Sequence, residues 1–381
     1  MKKLIALLLA LVMVVGLVAC GAKEEAAAPA AKEEAPAATE AAKEEAAAPE
    51  ADAETLYIPV MAKGFQHQFW QAVAAGSAAA AADYGVEIYF DGPASETEIA
   101  AQVDMVKKEM AKNPGALALA ALSTEAVTEI LEECAEKEIP VVGFDSGVPG
   151  DTTGAVKATA CTNNESAAAL AAEKFGEHEG LVEAMKSATA DAPIIIACLS
   201  QDAVSASVTG RTTGFVNKMV EVASQYGTVS VEGHSLWENK VADASIIIRV
   251  EVSATTEATA LQTSSASLLA NENLIAVFCS NEGAVTGFLA AVSDGQDLAE
   301  GGKYDGLVVA GFDAGAAQKN AVRQGWFYGS VTQDPYQIGY QAVALAVAAA
   351  NGEEVADVDT GAQWYNAENI DDEMIALLVY D

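Results

Sequence analysis

Two hydrophobic rhythms alternate along most of this chain. Short, largely β-branched apolar runs at 56–61, 86–90, 116–122 and 139–144 read as strands, and the stretches between them, 69–84, 95–112 and 124–137, read as helices. Ser95 followed by Glu98 predicts a capping box at the start of the second helix. The rhythm resumes with strands at 194–199, 229–231, 274–279 and 307–312 and helices at 208–226, 284–292 and 315–324. A run at 327–331 leads into Thr332-Gln333-Asp334-Pro335, and a last helix covers 336–351. Apolar runs without polar interruption suit strands buried on both faces, and strand–helix alternation predicts an α/β fold of parallel sheets with helices on both sides. The segment 239–267 fits neither rhythm. Its Ile246-Ile247-Ile248 and the Thr/Ser/Ala-rich 255–267 predict a helix carrying β-branched residues.

One phrase is written twice. Residues 139–147 read Ile-Pro-Val-Val-Gly-Phe-Asp-Ser-Gly, and residues 307–315 read Leu-Val-Val-Ala-Gly-Phe-Asp-Ala-Gly. Each copy is a buried strand ending in an acid, Asp145 or Asp313. Ligands of open α/β sheets sit just beyond the carboxyl ends of such strands. Alone, either aspartate suits a helix N-cap. The duplication points instead to two similar doubly wound lobes, each aiming a carboxylate into a shared cleft.

The N-terminus is different in kind. Met1-Lys2-Lys3 precedes an apolar stretch from 4 to 17, then Leu17-Val18-Ala19-Cys20-Gly21. The stretch is shorter than the ~20 residues a bilayer span needs, so it reads as a secretory signal. Leu-Val-Ala-Cys resembles the lipobox of bacterial lipoproteins, which implies cleavage before Cys20 and lipidation of its thiol. Residues 21–54 are almost entirely Ala, Glu, Lys and Pro, with Ala-Lys-Glu-Glu recurring at 22, 31 and 42. That composition cannot build a core and reads as a charged tether.

Charge narrows the function. Lys and Arg number 20 against 55 Asp and Glu, a formal net charge of −35. Such acidity repels phosphate backbones and excludes nucleic acid as a partner; it favours a soluble monomeric body. Cys134, Cys161, Cys198 and Cys279 form no Cys-x-x-Cys, no histidine sits at zinc spacing, and several lie in apolar runs, so buried thiols are expected, with a disulfide left open. Neither cofactor nor metal is implied. The chain has no Gly-x-Ser-x-Gly and no glycine-rich phosphate loop, and only three histidines, which argues against an enzyme.

The polar residues that end the strands carry the chemistry. Lys63-Gly64-Phe65-Gln66-His67-Gln68-Phe69-Trp70 follows the first strand, Asp145 and Ser146 the fourth, Ser280-Asn281-Glu282 the run at 274–279, and Asp313 the run at 307–312. Arg211 opens Arg-Thr-Thr-Gly-Phe, and Gln333 lies at a late crossing. Planar groups that donate and accept in pairs suit adjacent hydroxyls, and aromatic rings suit the apolar face of a sugar. With these motifs in this order, the chain from Leu56 onward resembles the type I periplasmic binding proteins of sugar importers, the ribose-binding protein and its relatives.

The resemblance implies two lobes joined by a three-strand hinge, with ligand between them. It divides the chain into a signal (1–20), a linker (21–54), an N-terminal lobe (55–160 with 334–360) and a C-terminal lobe (161–333 with 361–381). It implies that Asp145, Arg211, Asn281, Asp313 and Gln333 hydrogen-bond the ligand, that Phe69 and Trp70 sandwich its ring, that His67 makes a polar contact and that Trp237 supplies a second aromatic wall. The expected partners are a sugar or polyol, an ABC permease with its ATPase, and the outer face of the cell membrane through Cys20. A chemoreceptor or sensor kinase is the alternative partner, and a carbohydrate-acting enzyme a weaker alternative activity. Three departures move the ligand away from ribose itself. Ser146 stands where ribose binders carry Arg, 119–122 offers nothing polar, and Gln66-His67-Gln68 replaces their asparagine-rich loop.

Overall fold

The structure is a computed structural model and describes residues 55–380. The expected signal, tether and Cys20 lie outside those residues. Along the chain come β1 (Tyr57–Met61), α1 (Phe69–Tyr84), β2 (Glu87–Asp91), α2 (Ile99–Met110), β3 (Leu117–Leu119), α3 (Thr128–Glu136), β4 (Val141–Phe144) and β5 (Val156–Cys161). Then follow α4 (Asn164–Glu177), α5 (Glu179–Ser187), β6 (Ile194–Ser200), α6 (Ala206–Ala223), β7 (Val229–Glu232), β8 (Ile246–Val252), α7 (Ala258–Leu269), β9 (Leu274–Cys279) and α8 (Glu282–Ala291). After a short 3-10 turn come β10 (Val308–Phe312), α9 (Ala316–Arg323), β11 (Gly329–Gln333), α10 (Pro335–Ala350), β12 (Val358–Asp359), β13 (Ala362–Tyr365) and α11 (Glu373–Ala376).

The strands form two sheets. One has the order β12-β5-β4-β3-β1-β2 and is parallel throughout; the other has the order β13-β11-β10-β9-β6-β8-β7, with only β13 antiparallel. The chain passes between the sheets three times: after β5, after β11 and between β12 and β13. The first and third passages are tied together. Thr360 N–H donates to Cys161 O at 3.0 Å, Thr162 Oγ1 to Gly361 O at 3.0 Å, and Asn163 N–H to Asp359 Oδ1 at 3.0 Å.

Each lobe holds a very close helix pair that glycine makes possible. In the first lobe α1 packs on α10, and a Cβ on Gly339 would lie 2.0 Å from Val73 O. In the second α4 packs on α6, and a Cβ on Gly214 would lie 2.0 Å from Glu165 O. No side chain fits at either crossing.

Several expectations need correction. The segment expected to be a β-branched helix divides into a strand and a helix. Ile246, Ile248 and Val250 are buried while Ile247 and Arg249 are half-buried, the period-two pattern of β8, which pairs with both β6 and β7. Branched side chains fit that pleated surface better than a helix. The capping box at Ser95 and Glu98 does not form. The Ser95 hydroxyl accepts from Thr97 N, the Glu98 carboxylate accepts from Ala94 N, and α2 starts only at Ile99. Glu98 N–H donates instead to Ser95 O at 3.0 Å, closing a turn that carries Glu96 at the cleft. The pattern also left 156–187 unassigned, where β5, α4 and α5 stand.

Candidate ligand-binding site

The duplicated phrase produces a duplicated geometry. Asp145 ends β4 with φ 50° and Asp313 ends β10 with φ 77°, both in the left-handed region that a non-glycine residue seldom enters. Asp145 N–H donates to Ala160 O on β5, and Asp313 N–H to Val331 O on β11. In each lobe the backbone thus pairs once more with the next strand and then turns, which throws the carboxylate out over the sheet's C-terminal edge. Asp313 does not cap the helix that follows it, because α9 begins at Ala316 with Gly315 as its N-cap.

Arg211 is the central fixed cation. It rises from α6, is 3% exposed, and stacks 3.9 Å from the Phe312 ring centre. Its Nε donates to Asn164 Oδ1 at 2.8 Å; one terminal nitrogen reaches Ser280 O and Asp313 Oδ2, both at 3.3 Å. The other lies 3.9 Å from Asp145 Oδ1 on the opposite lobe. Asp313 also receives Gln333 Nε2 at 2.7 Å and Glu282 N–H at 3.0 Å. Asn281 caps α8 by accepting from Ala284 N, which holds its side chain at the strand end.

The first lobe supplies Lys63, His67, Phe69, Trp70, Glu96 and Asp145. Lys63 Nζ lies 3.2 Å from Asp145 Oδ2 and donates to Ser207 Oγ across the cleft at 3.2 Å. Burial alone would lower the Lys63 pKa, but the carboxylates of Asp145, Glu96 and Asp202 outweigh it and hold the ammonium charged. Glu96 is buried, which would raise its pKa, yet Lys63, His67 and hydrogen bonds from Trp70 Nε1 (3.1 Å) and Gln201 Nε2 (2.8 Å) bring it below the usual carboxylate value. Glu282 goes the other way. Burial, with Asp313 adding to it, lifts its pKa against partial relief from His67 and backbone N–H groups.

Eight of the nine residues expected at the ligand, namely His67, Phe69, Trp70, Asp145, Arg211, Asn281, Asp313 and Gln333, line one cavity of about 20 Å³ between the lobes, room for a single water. Trp237 is not brought there. Its Nε1 donates to Thr213 Oγ1 at 2.9 Å and its ring packs against the second lobe's own core. The loop from β7 turns that indole onto α6 rather than into the cleft. Lys63, Glu96 and Glu282 line the same cavity; Lys63 and Glu282 stand in the strand-end segments without an assigned role, and Glu96 is assigned none either. The strand-end rule that found Asp145 reaches all three, since each follows the C-terminal end of a strand.

Direct bridges join the lobes around this cavity. Besides Lys63–Ser207 and Gln201–Glu96, Gln68 N–H donates to Glu282 Oε1 at 3.4 Å, and Gln68 Oε1 accepts from Ala316 N at 2.8 Å. The unpaired atoms are informative. Asp145 Oδ2, Glu282 Oε2, Gln333 Oε1 and Gln201 Oε1 are buried without a hydrogen bond, Asp145 Oδ2 despite its nearby ammonium. All four are acceptors. The two glutamine amides are fixed in this sense because their NH₂ groups already donate to carboxylates. Each unmade bond costs roughly 1–3 kcal/mol, so the site as built calls for a donor-rich ligand.

Two parallel-sheet lobes with a polar cleft at their strand ends define a two-lobed solute receptor. The family description of the periplasmic binding protein domain matches residues 58–354, and the chain belongs to that family, in its ribose-binding-like type I form. A solved structure from Brachyspira murdochii, described as an ABC transporter, LacI family transcriptional regulator, is 38% identical and superimposes with a TM-score of 0.72, covering 86% of this chain and 99% of its own. An ABC transporter solute-binding protein from Agrobacterium vitis with bound D-fucose is 26% identical, with a TM-score of 0.70 over 85% of this chain and 100% of its own. A carbohydrate transporter solute-binding protein from Agrobacterium radiobacter in complex with D-arabinose is also 26% identical, with a TM-score of 0.68 over 86% and 100%. No curated protein matches the sequence.

Proposed function

We propose that this protein captures a sugar or polyol between its lobes and delivers it to an ABC permease, held at the outer face of the cell membrane by a lipid on Cys20. The observation that carries the ligand class is the set of buried acceptors that line the cavity without a hydrogen bond, Asp145 Oδ2, Gln333 Oε1 and Glu282 Oε2, drawn from both lobes. Hydroxyl groups are the donors that satisfy several such acceptors within one small molecule. The solute-binding proteins from the two Agrobacterium species, found with D-fucose and D-arabinose, support the same class. The N-terminal lobe is taken as 55–160 with 334–360 and the C-terminal lobe as 161–333 with 361–381.

Mechanism follows from the bridges. A hexose exceeds the present cavity, so loading requires the lobes to part and exchanges protein–protein bonds such as Gln201–Glu96 for protein–ligand bonds. Ligand drives closure only by binding the closed arrangement better than the open one. Thermal melting against a panel of sugars and polyols tests this reading: a ligand at about 100 times its Kd adds about 2.7 kcal/mol to stability. A shift with a nucleoside or amino acid and with no sugar would overturn the ligand class.

A further inference from the structure

We propose that the ligand carries a protonated amine beside its hydroxyls, as an amino sugar or amino polyol does. This deepens the sugar reading and rests on it. The cavity is lined by two permanent cations, Lys63 and Arg211, and four carboxylates, Glu96, Asp145, Glu282 and Asp313. The cations are already committed. Lys63 faces Asp145, and Arg211 joins Asp313 and approaches Asp145. Glu96 has both oxygens filled, by Trp70 and Gln201.

Glu282 is the exception. No lysine or arginine among the described residues pairs with it. Its carboxylate meets the backbone N–H groups of Gln68, at 3.4 Å from Oε1, and Phe69, but its Oε2 is buried without a hydrogen bond. Asp313, 5% exposed, is held against it by the Glu282 N–H bond, so two carboxylates share that end of the cavity. Gln333 Oε1, on a residue 1% exposed, adds a further unfilled acceptor. An inorganic cation does not fit, because no three Asp, Glu, His or Cys side chains among the described residues group closely enough to hold one. An ammonium on a polyhydroxylated ring supplies up to three donors and one charge beside Glu282, whose Oε2 has no donor and which no lysine or arginine pairs. A sugar acid or sugar phosphate would add to the negative side of an already negative cleft.

The test is isothermal titration of the full chain, kept in mild detergent, with D-glucosamine, D-galactosamine and D-mannosamine, their parent hexoses and the matching uronic acids. A charge-assisted bond made to a buried carboxylate predicts that at least one amino sugar binds about 10-fold to 100-fold more tightly than its parent. Uronic acids should bind more weakly than either. In Glu282→Gln the ratio of amino sugar to parent should shrink to about threefold or less, and that within-variant ratio is insensitive to a general loss of stability. A parent hexose that binds as well as its amine would overturn the inference and leave the sugar reading standing. An amine preference left intact in Glu282→Gln would also overturn it as placed here. Binding of none of the sugars would sink both.

Discussion

Single residues at the cleft divide into those that hold the site in shape and those left open for a ligand, and the two kinds respond differently to substitution. Asp313 does both. It anchors Arg211, Gln333 and Glu282 N–H from a left-handed backbone, so Asp313→Ala strands three donors and should lower the melting temperature as well as abolish binding. Asp313→Asn tolerates that backbone better and should keep the fold while weakening binding by at least 10-fold, read by calorimetry. Arg211→Ala should cost about 2–4 kcal/mol of binding. Unchanged affinity would place the guanidinium outside the ligand contacts. The carboxylates of Glu96 and Glu282 should have opposite effects on stability. The folded pKa of Glu96 is depressed, so its contribution is present at neutral pH and fades as pH falls through and below the usual carboxylate range, about pH 4. The folded pKa of Glu282 is raised, so stability is lost as pH rises from the usual carboxylate value through its own. At pH 7, Glu96→Gln should therefore lower the melting temperature and Glu282→Gln should raise it; thermal scans of both variants at pH 4 and 7 check the signs.

Elements were legible where burial follows one period. The double-faced strands at 141–144 and 308–312 are continuous apolar runs, and the phrase they share pointed to both aspartates before any geometry. The strand β8 was not legible in the same way. An isoleucine triplet flanked by polar residues fits a short strand or a branched helix, and only pairing with β6 and β7 decides between them. Trp237 was misplaced for a related reason: a loop residue's direction depends on what the loop packs against, here Thr213 of α6. Glu96 was hidden by its own disguise, since Ser95 and Glu98 mimic a helix start while the chain between them enters the cleft. At this scale the two glycine crossings offer the firmest test. Gly339→Ala and Gly214→Ala each force a Cβ onto a facing carbonyl oxygen, and each should destabilise by about 1–3 kcal/mol or more in chemical denaturation, with the larger midpoint loss where the helices cannot slide. A variant as stable as the parent would mean that the helix pair relaxes freely.

At the scale of the whole molecule, the two lobes repeat one construction and face each other across a cleft that neither completes alone. Asp145 comes from the first lobe, and Asp313, Arg211 and Gln333, at the end of β11, from the second. On the proposed function, affinity for one small molecule becomes a preference for the closed arrangement. The account rests on a ligand that engages both lobes at once, and the most direct test is sugar-dependent melting of the parent beside Asp145→Asn and Asp313→Asn. The expected result is a sugar that raises the parent's melting temperature and raises neither variant's at the same concentration. A full shift retained in either variant, or a parent that responds to no sugar, amine-bearing or neutral, would contradict it.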